Sequence, residues 1–241
     1  MARRLLPLLL LSAAVWAAPP ANSVEIQLPP GVDSAHFFAR YVLAGQDFGG
    51  WIDPRAGVTS YFIDTTVAGR PASGIRAILY APGCAIQTLN ASLPAPTAVF
   101  PFVCHPVSSV RIAGTIVRPS EFQGHQLTVQ ARYVLRWAAA FLGLDLNMVT
   151  GIPVGDPIDI AADHRFAIST PDLSSQGELE FQARERDTQD LLAWLMPDKT
   201  LPARAAGGPV AFSLCAIREN WTVHDRYGFA LRETTGDACS R

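Results

Sequence analysis

The chain has 241 residues, of which 49% are hydrophobic and 17% are charged, and its formal net charge is -2. This length and hydrophobic content can fill one large core or two ordinary ones, and they exclude a mainly disordered chain, which requires low hydrophobicity and high net charge. The slightly acidic balance, with no basic run after Arg4, argues against a nucleic-acid-binding protein.

The first residues have the three parts of a secretory signal peptide. Arg3 and Arg4 precede an apolar run over residues 5–16, and a pair of alanines follows it. A run of about twelve apolar residues is shorter than the roughly 20 that a membrane-spanning helix needs. The pattern therefore predicts a signal peptide over residues 1–17 and a secreted or periplasmic mature protein without a membrane span.

Several segments in the middle of the chain alternate apolar and polar residues with a period of two. The clearest are residues 127–133 and 178–184, and residues 75–81 are apolar at almost every position. Alternation predicts a strand with one face on a core and the other in water, whereas a fully apolar run indicates a central strand. Prolines and glycines at turn-like spacing separate these runs, so the sequence predicts an all-β protein built of antiparallel sandwiches.

Residues 133–144 are apolar almost throughout and do not show a clear period. They fit a pair of buried strands or one short helix, and in either case the simplest interpretation is that they belong to a core. The alternative is an exposed apolar patch that docks a partner.

Two blocks of sequence recur about a hundred residues apart. The pattern aromatic-x-Ile-x-Thr at residues 61–65 recurs at residues 166–170, with an offset of 105 residues. The apolar alternation of residues 75–79 recurs at residues 179–183, with an offset of 104. Offsets of this size suit two copies of one sandwich domain.

We therefore predict two tandem antiparallel β-sandwiches of the transthyretin or immunoglobulin type, over residues 18–105 and 106–203. A C-terminal hairpin tied by a disulfide follows over residues 204–241. The alternative architecture is a single large jelly roll.

The pentapeptide Ala-Arg-Tyr-Val-Leu also occurs twice, at residues 39–43 and 131–135, but its offset of 92 differs. We interpret it as a coincidence or as a match between strands that are not equivalent.

Four cysteines follow the predicted signal peptide, namely Cys84, Cys104, Cys215 and Cys239. An even number of cysteines in an exported chain, without a C-x-x-C motif, favours disulfides over zinc or redox chemistry. The local pairing, Cys84–Cys104 with Cys215–Cys239, closes two loops of about 20–25 residues, which stabilises a fold by roughly 3 kcal/mol each. The crossed pairings stay open.

The second half carries a series of strand and turn residues in a recognisable order. These are Val110-x-Ile112-x-Gly114-x-Ile116, Gly124, Leu127-Thr128-Val129, residues 163–168, Pro171-Asp172-Leu173 and residues 178–183. This order resembles the carboxypeptidase regulatory-like family over residues 107–197, and more loosely over residues 33–105. The resemblance implies a transthyretin-type sandwich without catalytic activity, of the kind that serves as an accessory module in exported bacterial proteins. It transfers no functional residues.

Motifs of common catalytic centres are absent from the sequence, including G-x-S-x-G, H-E-x-x-H and the phosphate-binding loop. Asp156, Asp159 and Asp163 form the densest acidic cluster. Carboxylates at such spacing in a loop can bind Ca²⁺ through their oxygens, although acidic loop residues are also common on solvated surfaces. The sequence thus predicts no enzyme and no resident cofactor, with these three aspartates as candidate metal ligands.

Trp51 is the candidate ligand-binding residue. It follows Phe48-Gly49-Gly50, which predicts an exposed, flexible turn. An exposed tryptophan ring is a flat apolar platform that suits the face of a sugar, whereas the alternative is packing in a core, as we expect for Trp194.

The function predicted from these features is a non-enzymatic, exported binding or scaffold module of the cell envelope or extracellular space, with an envelope protein or a glycan as its partner. One alternative is a carbohydrate-binding module. The other is a secreted hydrolase of glycans or peptides, with acids drawn from Asp163, Glu219 or Asp225. Glycoside hydrolysis needs two carboxylates about 5–9 Å apart in one cleft.

Overall fold

A computed structural model describes residues 22–44, 48–93, 97–117, 124, 126–141, 144–187, 191–198, 210–213 and 215–216. The predicted signal peptide over residues 1–17 and most of the predicted C-terminal hairpin lie outside these residues. None of the helical structure in the described ranges is long and apolar enough to cross a bilayer.

The described chain is built of strands and one short 3₁₀ helix, which confirms the all-β prediction. The elements of the first half are β1 (Ser23–Gln27), the 3₁₀ helix η1 (Ser34–His36), β2 (Phe38–Ala44), β3 (Phe48–Trp51), β4 (Ser60–Asp64), β5 (Thr66–Val67), β6 (Arg70–Pro71), β7 (Gly74–Tyr80), β8 (Gln87–Ser92) and β9 (Thr97–Pro101). The elements of the second half are β10 (Ser109–Val117), β11 (Leu127–Phe141), β12 (Leu144–Pro153), β13 (Ile158–Asp159), β14 (Arg165–Pro171), β15 (Glu178–Glu185), β16 (Leu191–Asp198), β17 (Val210–Ser213) and β18 (Cys215–Ala216).

The two halves repeat one pattern of strand pairing. In the first half, one sheet has the order β4-β1-β9 and the other the order β3-β2-β7-β8. In the second half, the orders are β14-β10-β17 and β12-β11-β15-β16, the latter continued by β18. The directions also agree, because β1 is antiparallel to β4 and parallel to β9, and β10 is antiparallel to β14 and parallel to β17.

Both blocks of the sequence repeat fall on equivalent strands of this pattern. Residues 61–65 lie on and just after β4 and residues 166–170 on β14, while residues 75–79 lie on β7 and 179–183 on β15. Each of these four segments turns alternate apolar side chains into a core, which explains why their sequences are similar.

Of the two interpretations of the repeated pentapeptide, a match between strands that are not equivalent is wrong, whereas a coincidence is not contradicted. The copies at residues 39–43 and 131–135 lie on β2 and β11, which occupy the same place in the two halves. With the offset of 104 residues between β7 and β15, Ile78 corresponds to Gln182. Ile78 is opposite Arg40, and Gln182 is opposite Gln130, so the residue that corresponds to Arg40 is Gln130. Arg132, which the pentapeptide would match to Arg40, is instead opposite Glu180. The copies are thus shifted by two residues along equivalent strands. Such a shift preserves the face to which each side chain points.

Alternation correctly identifies the core face of β11 and β15. Tyr133 and Phe181 are fully buried in the hydrophobic cluster of the second half. The expectation that the polar face of β15 lies in water is wrong, because Glu180 is only 3% exposed and Gln182 is buried as well. β15 is a central strand between β11 and β16, and on its polar face the amide of Gln182 donates to the carboxylate of Glu180 along the strand.

The described part of residues 133–144 forms strands and not a helix. Residues 133–141 lie in β11 and Leu144 begins β12, and the two strands pair as a long antiparallel hairpin. The first part belongs to the core, where Tyr133, Val134 and Leu135 are buried. Farther along the hairpin, Trp137 packs with Met148 against Val42 of the first half. This hairpin therefore contributes to the junction of the two halves.

The two halves share hydrophobic packing at their junction. One face of β7 turns into the core of the first half, whereas Ile78 and Tyr80 on its other face belong to the cluster of the second half, together with Ile86. Gln176 of the second half also connects the two halves here. Its side chain accepts a hydrogen bond from the Ile86 amide at 2.9 Å and donates one to the Ile86 carbonyl at 2.8 Å. The face of β7 that points away from the core of the first half is thus buried against the second half.

The predicted Cys84–Cys104 disulfide is confirmed, with 20 residues of sequence separation. It joins the β7–β8 turn to the segment that leads into the second half, beside a backbone bridge between Cys84 and Pro106. Cys215 lies in β18, but Cys239 lies outside the described residues, so that pairing stays a prediction.

His36 lies between one carboxylate from each half. Its Nδ1 is 2.6 Å from Asp33 and its Nε2 is 3.4 Å from Asp156. The hydrogen bond with Asp33, and then the negative charges of Asp33 and Asp156, raise the pKa of His36 against an opposing effect of burial. A histidine whose pKa is raised on folding stabilises the folded state fully below its unfolded pKa of about 6.5, and this contribution is lost as the pH rises through the folded value.

The effect of His36→Asn on stability should therefore depend on pH. We expect the loss of urea midpoint relative to wild type to be larger at about pH 5.5 than at about pH 8, because only the protonated ring attracts both carboxylates. The matched control is His105→Asn, which changes an exposed histidine that has no described ion pair. Equal losses at both pH values for His36→Asn would contradict the prediction.

Candidate functional site

A cleft of about 320 Å³ lies in the first half, between the edge strands of its two sheets. It is lined by Tyr41 of β2, by Trp51 of β3, by Ile52, Asp53, Arg55 and Val58 in the following loop, and by Ser60, Tyr61, Phe62, Ile63 and Asp64 of β4. Its volume is at the small end of the roughly 300–1,000 Å³ that is usual for ligand pockets. We call it the Trp51 cleft.

Trp51 is exposed, as predicted, but the predicted turn around it is wrong. Residues 48–51 form β3, which pairs with β2 along its whole length. The side chain of Trp51 is 41% exposed at the end of this edge strand. A β carbon at Gly50 would lie 2.7 Å from the Tyr41 hydroxyl, so the glycine lets the Tyr41 ring lie across β3. The glycines therefore shape a strand beside the cleft instead of forming a loop.

Tyr61 holds the loop that forms one wall of the cleft. Its ring is in the core, stacked on Phe37 at 5.2 Å between centroids. Its hydroxyl donates to the Ser34 carbonyl at 2.7 Å and accepts from the Arg55 amide at 2.8 Å. One side chain thereby connects β4, the 3₁₀ helix and the loop that carries Asp53 and Arg55.

Tyr61→Phe should loosen this wall without removing the ring. The substitution leaves the Arg55 amide without its partner and the Ser34 carbonyl with only its longer hydrogen bond from the Phe37 amide. We expect a loss of about 1–3 kcal/mol in the free energy of unfolding. Amide hydrogen exchange at Arg55 should become faster. Tyr133→Phe is the matched control in the second half, because the Tyr133 hydroxyl also bonds two backbone groups. Unchanged exchange at Arg55 in Tyr61→Phe would show that the loop is held by other contacts.

The charges of the Trp51 cleft are predominantly negative. Among the described residues that line it, Asp53 and Asp64 are acidic and Arg55 is the single basic one. Asp64 also affects Tyr41, since burial and then the charge of Asp64 raise the pKa of the Tyr41 phenol. Phe62, which is 42% exposed, adds a second accessible aromatic ring beside Trp51. The cleft thus combines two exposed aromatic surfaces with two carboxylates.

The cleft runs along an open edge of a sheet. The Leu28 amide donates to the Thr59 carbonyl and the Thr65 amide to the Asn22 carbonyl, so the odd-numbered residues of this stretch turn their backbone groups towards β1. In an antiparallel pair this pattern alternates, and the backbone groups of Ser60, Phe62 and Asp64 therefore point away from β1. Within the described ranges no further strand pairs with β4 on that side.

The structure does not bring the three candidate metal ligands together. Asp156 faces His36, Asp159 pairs with Arg186, and Asp163 pairs with Arg165 at 3.5 Å. Among the described residues there is no group of three or more acidic, histidine or cysteine side chains suited to a metal ion. Each of these carboxylates has a different basic neighbour, and the calcium site stays a prediction from sequence.

Of the acids suggested for a hydrolase, Asp163 is the one that the structure describes, and it does not line the Trp51 cleft. Asp163 is in the turn before β14, in the other half of the chain. Glu219 and Asp225 lie outside the described residues. Trp194 is in β16, but its side chain lies outside what is described, so its predicted burial stays a prediction.

Sequence reasoning found Trp51 but missed its neighbours in the cleft. A signal was available at Phe62, which is the polar-face position between the core residues Tyr61 and Ile63 and yet is aromatic. An apolar residue at a position that alternation assigns to solvent is a sign of an interaction surface. No comparable pattern marks Asp53 or Tyr41.

Comparisons with known proteins leave the family of this chain open. No family model matches the sequence, and no curated protein is significantly similar to it. Among solved structures, the shaft pilin SpaA from Lactobacillus rhamnosus GG is 8% identical with a TM-score of 0.26, and the match covers 82% of this chain and 98% of that one.

Two further structural neighbours are equally distant. A putative adhesin from Bacteroides ovatus is 8% identical with a TM-score of 0.28, over 83% of this chain and 94% of the other. A streptococcal ancillary pilin is 13% identical with a TM-score of 0.24, over 80% and 62% of the two chains. At these TM-scores the neighbours carry no conclusion about what this chain binds.

Proposed function

We propose that this chain is an exported, non-enzymatic binding module and that the Trp51 cleft is its ligand-binding site. The observation that carries the proposal is the exposure of two aromatic rings, Trp51 and Phe62, around a cleft with two carboxylates. Large apolar side chains exposed at one place are typical of binding surfaces, because leaving them in water is unfavourable.

Three further features support export and a binding role. The signal-peptide pattern over residues 1–17 and the Cys84–Cys104 disulfide fit a secreted or periplasmic protein. The resemblance of residues 107–197 to carboxypeptidase regulatory-like domains favours an accessory module without catalytic activity. We propose on the same grounds that the two halves are related sandwiches of the transthyretin type.

The test is binding by the oxidised chain over residues 18–241, with Trp51→Ala as the key variant. The panel consists of cell-wall sacculi, insoluble glycans and immobilised extended peptides, each with and without calcium. Truncation of an aromatic anchor in a binding site costs about 2 kcal/mol or more, so we expect binding about 30-fold weaker or worse on the matrix that is recognised.

Val149→Ala is the matched control, because Val149 is an exposed apolar residue of the second half and does not line the cleft. It should bind as the wild type does. Retention that is absent on every matrix, or that is the same for wild type and Trp51→Ala, would overturn the proposal. Release of soluble fragments from a glycan or peptide would instead support the hydrolase alternative.

A further inference from the structure

We propose that the partner in the Trp51 cleft is an extended polypeptide segment, which adds as a new strand to the free edge of β4 and carries apolar and basic side chains in alternation. This inference rests on the proposed function, since it names the class of ligand for the same site. It is carried by the backbone of β4 as well as by the side chains around it.

The first step is the hydrogen-bonding capacity of the edge. The amides and carbonyls of Ser60, Phe62 and Asp64 face away from β1, and no other described strand pairs with them. A row of such groups is a template for another strand, because an added peptide can satisfy each donor and acceptor in turn.

The second step is the course of the cleft. It contacts five successive residues of β4, from Ser60 to Asp64. Because neighbouring side chains of a strand point to opposite faces, a cleft that meets all five runs along the edge of the strand and not over one face. A chain lying in the cleft is therefore in position to pair with β4.

The third step is the lack of proline, lysine and bulges along this edge, whose one charged residue, Asp64, is at its end. Natural edge strands are often blocked by proline, lysine or a bulge. The stretch Ser-Tyr-Phe-Ile-Asp contains no proline and no lysine, and its register with β1 is regular. At the opposite edge of the same sheet, β9 ends at Pro101. The edge of β4 is therefore the more open of the two.

The fourth step is the chemistry of the side chains. On an added strand, alternate side chains would face the interior of the cleft, where Tyr41 and Trp51 offer apolar contacts. Asp53 and Asp64 outnumber Arg55, so a lysine or arginine in the segment gains more from the cleft than an acidic residue does. The hydroxyls of a sugar could also bond to backbone groups, but an added strand matches the regular alternation of donors and acceptors along β4, which is why the geometry favours a peptide.

The experiment uses the oxidised chain over residues 18–241 and a capped heptapeptide of alternating valine and lysine, with binding followed by calorimetry. Two analogues carry N-methyl groups on alternate amides, one on the odd-numbered and one on the even-numbered residues. In strand addition only one of these sets faces β4. We therefore expect one analogue to bind tenfold weaker or worse and the other to bind as the parent does.

Two variants of the chain test the same edge from the protein side. Phe62→Ala removes the ring but keeps the amide, whereas Phe62→Pro also removes an amide that faces away from β1. Binding should be weaker for Phe62→Pro than for Phe62→Ala. Thermal unfolding checks that both variants fold, and the N-methyl analogues keep the test valid on wild-type protein if Phe62→Pro does not.

The outcomes separate the two proposals. Equal binding of both N-methyl analogues, with loss in Trp51→Ala, would overturn strand addition and leave the binding site in place. Binding of a sugar that depends on Trp51, without binding of the peptide, would overturn the inference in favour of a glycan. The absence of any ligand that depends on Trp51 would overturn the proposed function itself.

Discussion

Tyr80→Ala is expected to destabilise both halves of the chain, with a loss of about 3–5 kcal/mol in the free energy of unfolding, as for other buried aromatic residues that are truncated to alanine. Tyr80 is carried by β7 of the first half, but its side chain is almost fully buried in the cluster of the second half. The cavity left by the ring would therefore open at the junction. Because each half packs on the other there, we expect the two to unfold in one transition.

The measurement is urea unfolding monitored through the hydrogen exchange of backbone amides. The amides of β1 report on the first half and those of β11 on the second. Tyr80→Phe is the matched control, because it keeps the ring, and it should cost no more than about 1 kcal/mol. Protection in β11 that is unchanged in Tyr80→Ala would contradict the prediction, since the junction would then contribute nothing to the second half.

Burial of Tyr80 also has a consequence at high pH. Burial, and then the charge of Tyr133, raise the pKa of Tyr80 to about 12. A phenol whose pKa is raised on folding stabilises the folded state below its unfolded pKa of about 10, and this contribution is lost as the pH rises through that range towards the folded value. Absorbance titration of the phenols would show Tyr80 as a late component that is missing in Tyr80→Phe.

Removal of the Cys84–Cys104 disulfide is the second change with a large expected effect. The double variant Cys84→Ala/Cys104→Ala should lose roughly 3 kcal/mol, because a closed loop of this length restricts the unfolded chain. The effect should be felt at the junction as well, since the Ala85 amide donates to the His105 carbonyl at 2.8 Å and the Val107 amide to the Gly83 carbonyl at 3.0 Å.

Reduction provides the control for this prediction. Dithiothreitol should lower the urea midpoint of the wild type by more than that of the double variant, because the variant has no bond left to lose at this place. Any remaining effect of the reductant on the variant would report on Cys215 and Cys239. An equal effect on both proteins would mean that the Cys84–Cys104 bond does not stabilise the fold.

The sequence identified most strands and their core faces, because period-two alternation is a local property. Residues 127–133 and 178–184 became β11 and β15 with the expected apolar faces in the core. The sequence repeat was also informative, since its two blocks mark strands with the same place in each half. The alternative that the two pentapeptide copies lie on non-equivalent strands is wrong, because an offset in sequence does not reveal a shift of two residues in strand register.

The polar face of β15 and the strand before Trp51 are two places where a local sequence pattern led to a wrong prediction. Alternation placed Glu180 in water because it describes one strand and not the strands on either side. The turn predicted from the two glycines before Trp51 is a strand, because β2 supplies a partner for it. Glycine permits a turn, but it does not require one where a neighbouring strand satisfies the backbone.

By itself, the sequence determined that this chain is all-β, which faces of its strands are apolar, that Cys84 and Cys104 are close enough in sequence to close a local loop, and that Trp51 is accessible. The tertiary structure decided that Tyr80 belongs to the core of the other half, and that Trp51 and Asp64, on two different sheets, line one cleft. The physical reason is that alternation fixes which side chains share a face, whereas strand pairing across the whole chain decides which faces are covered and which sheet edge stays open.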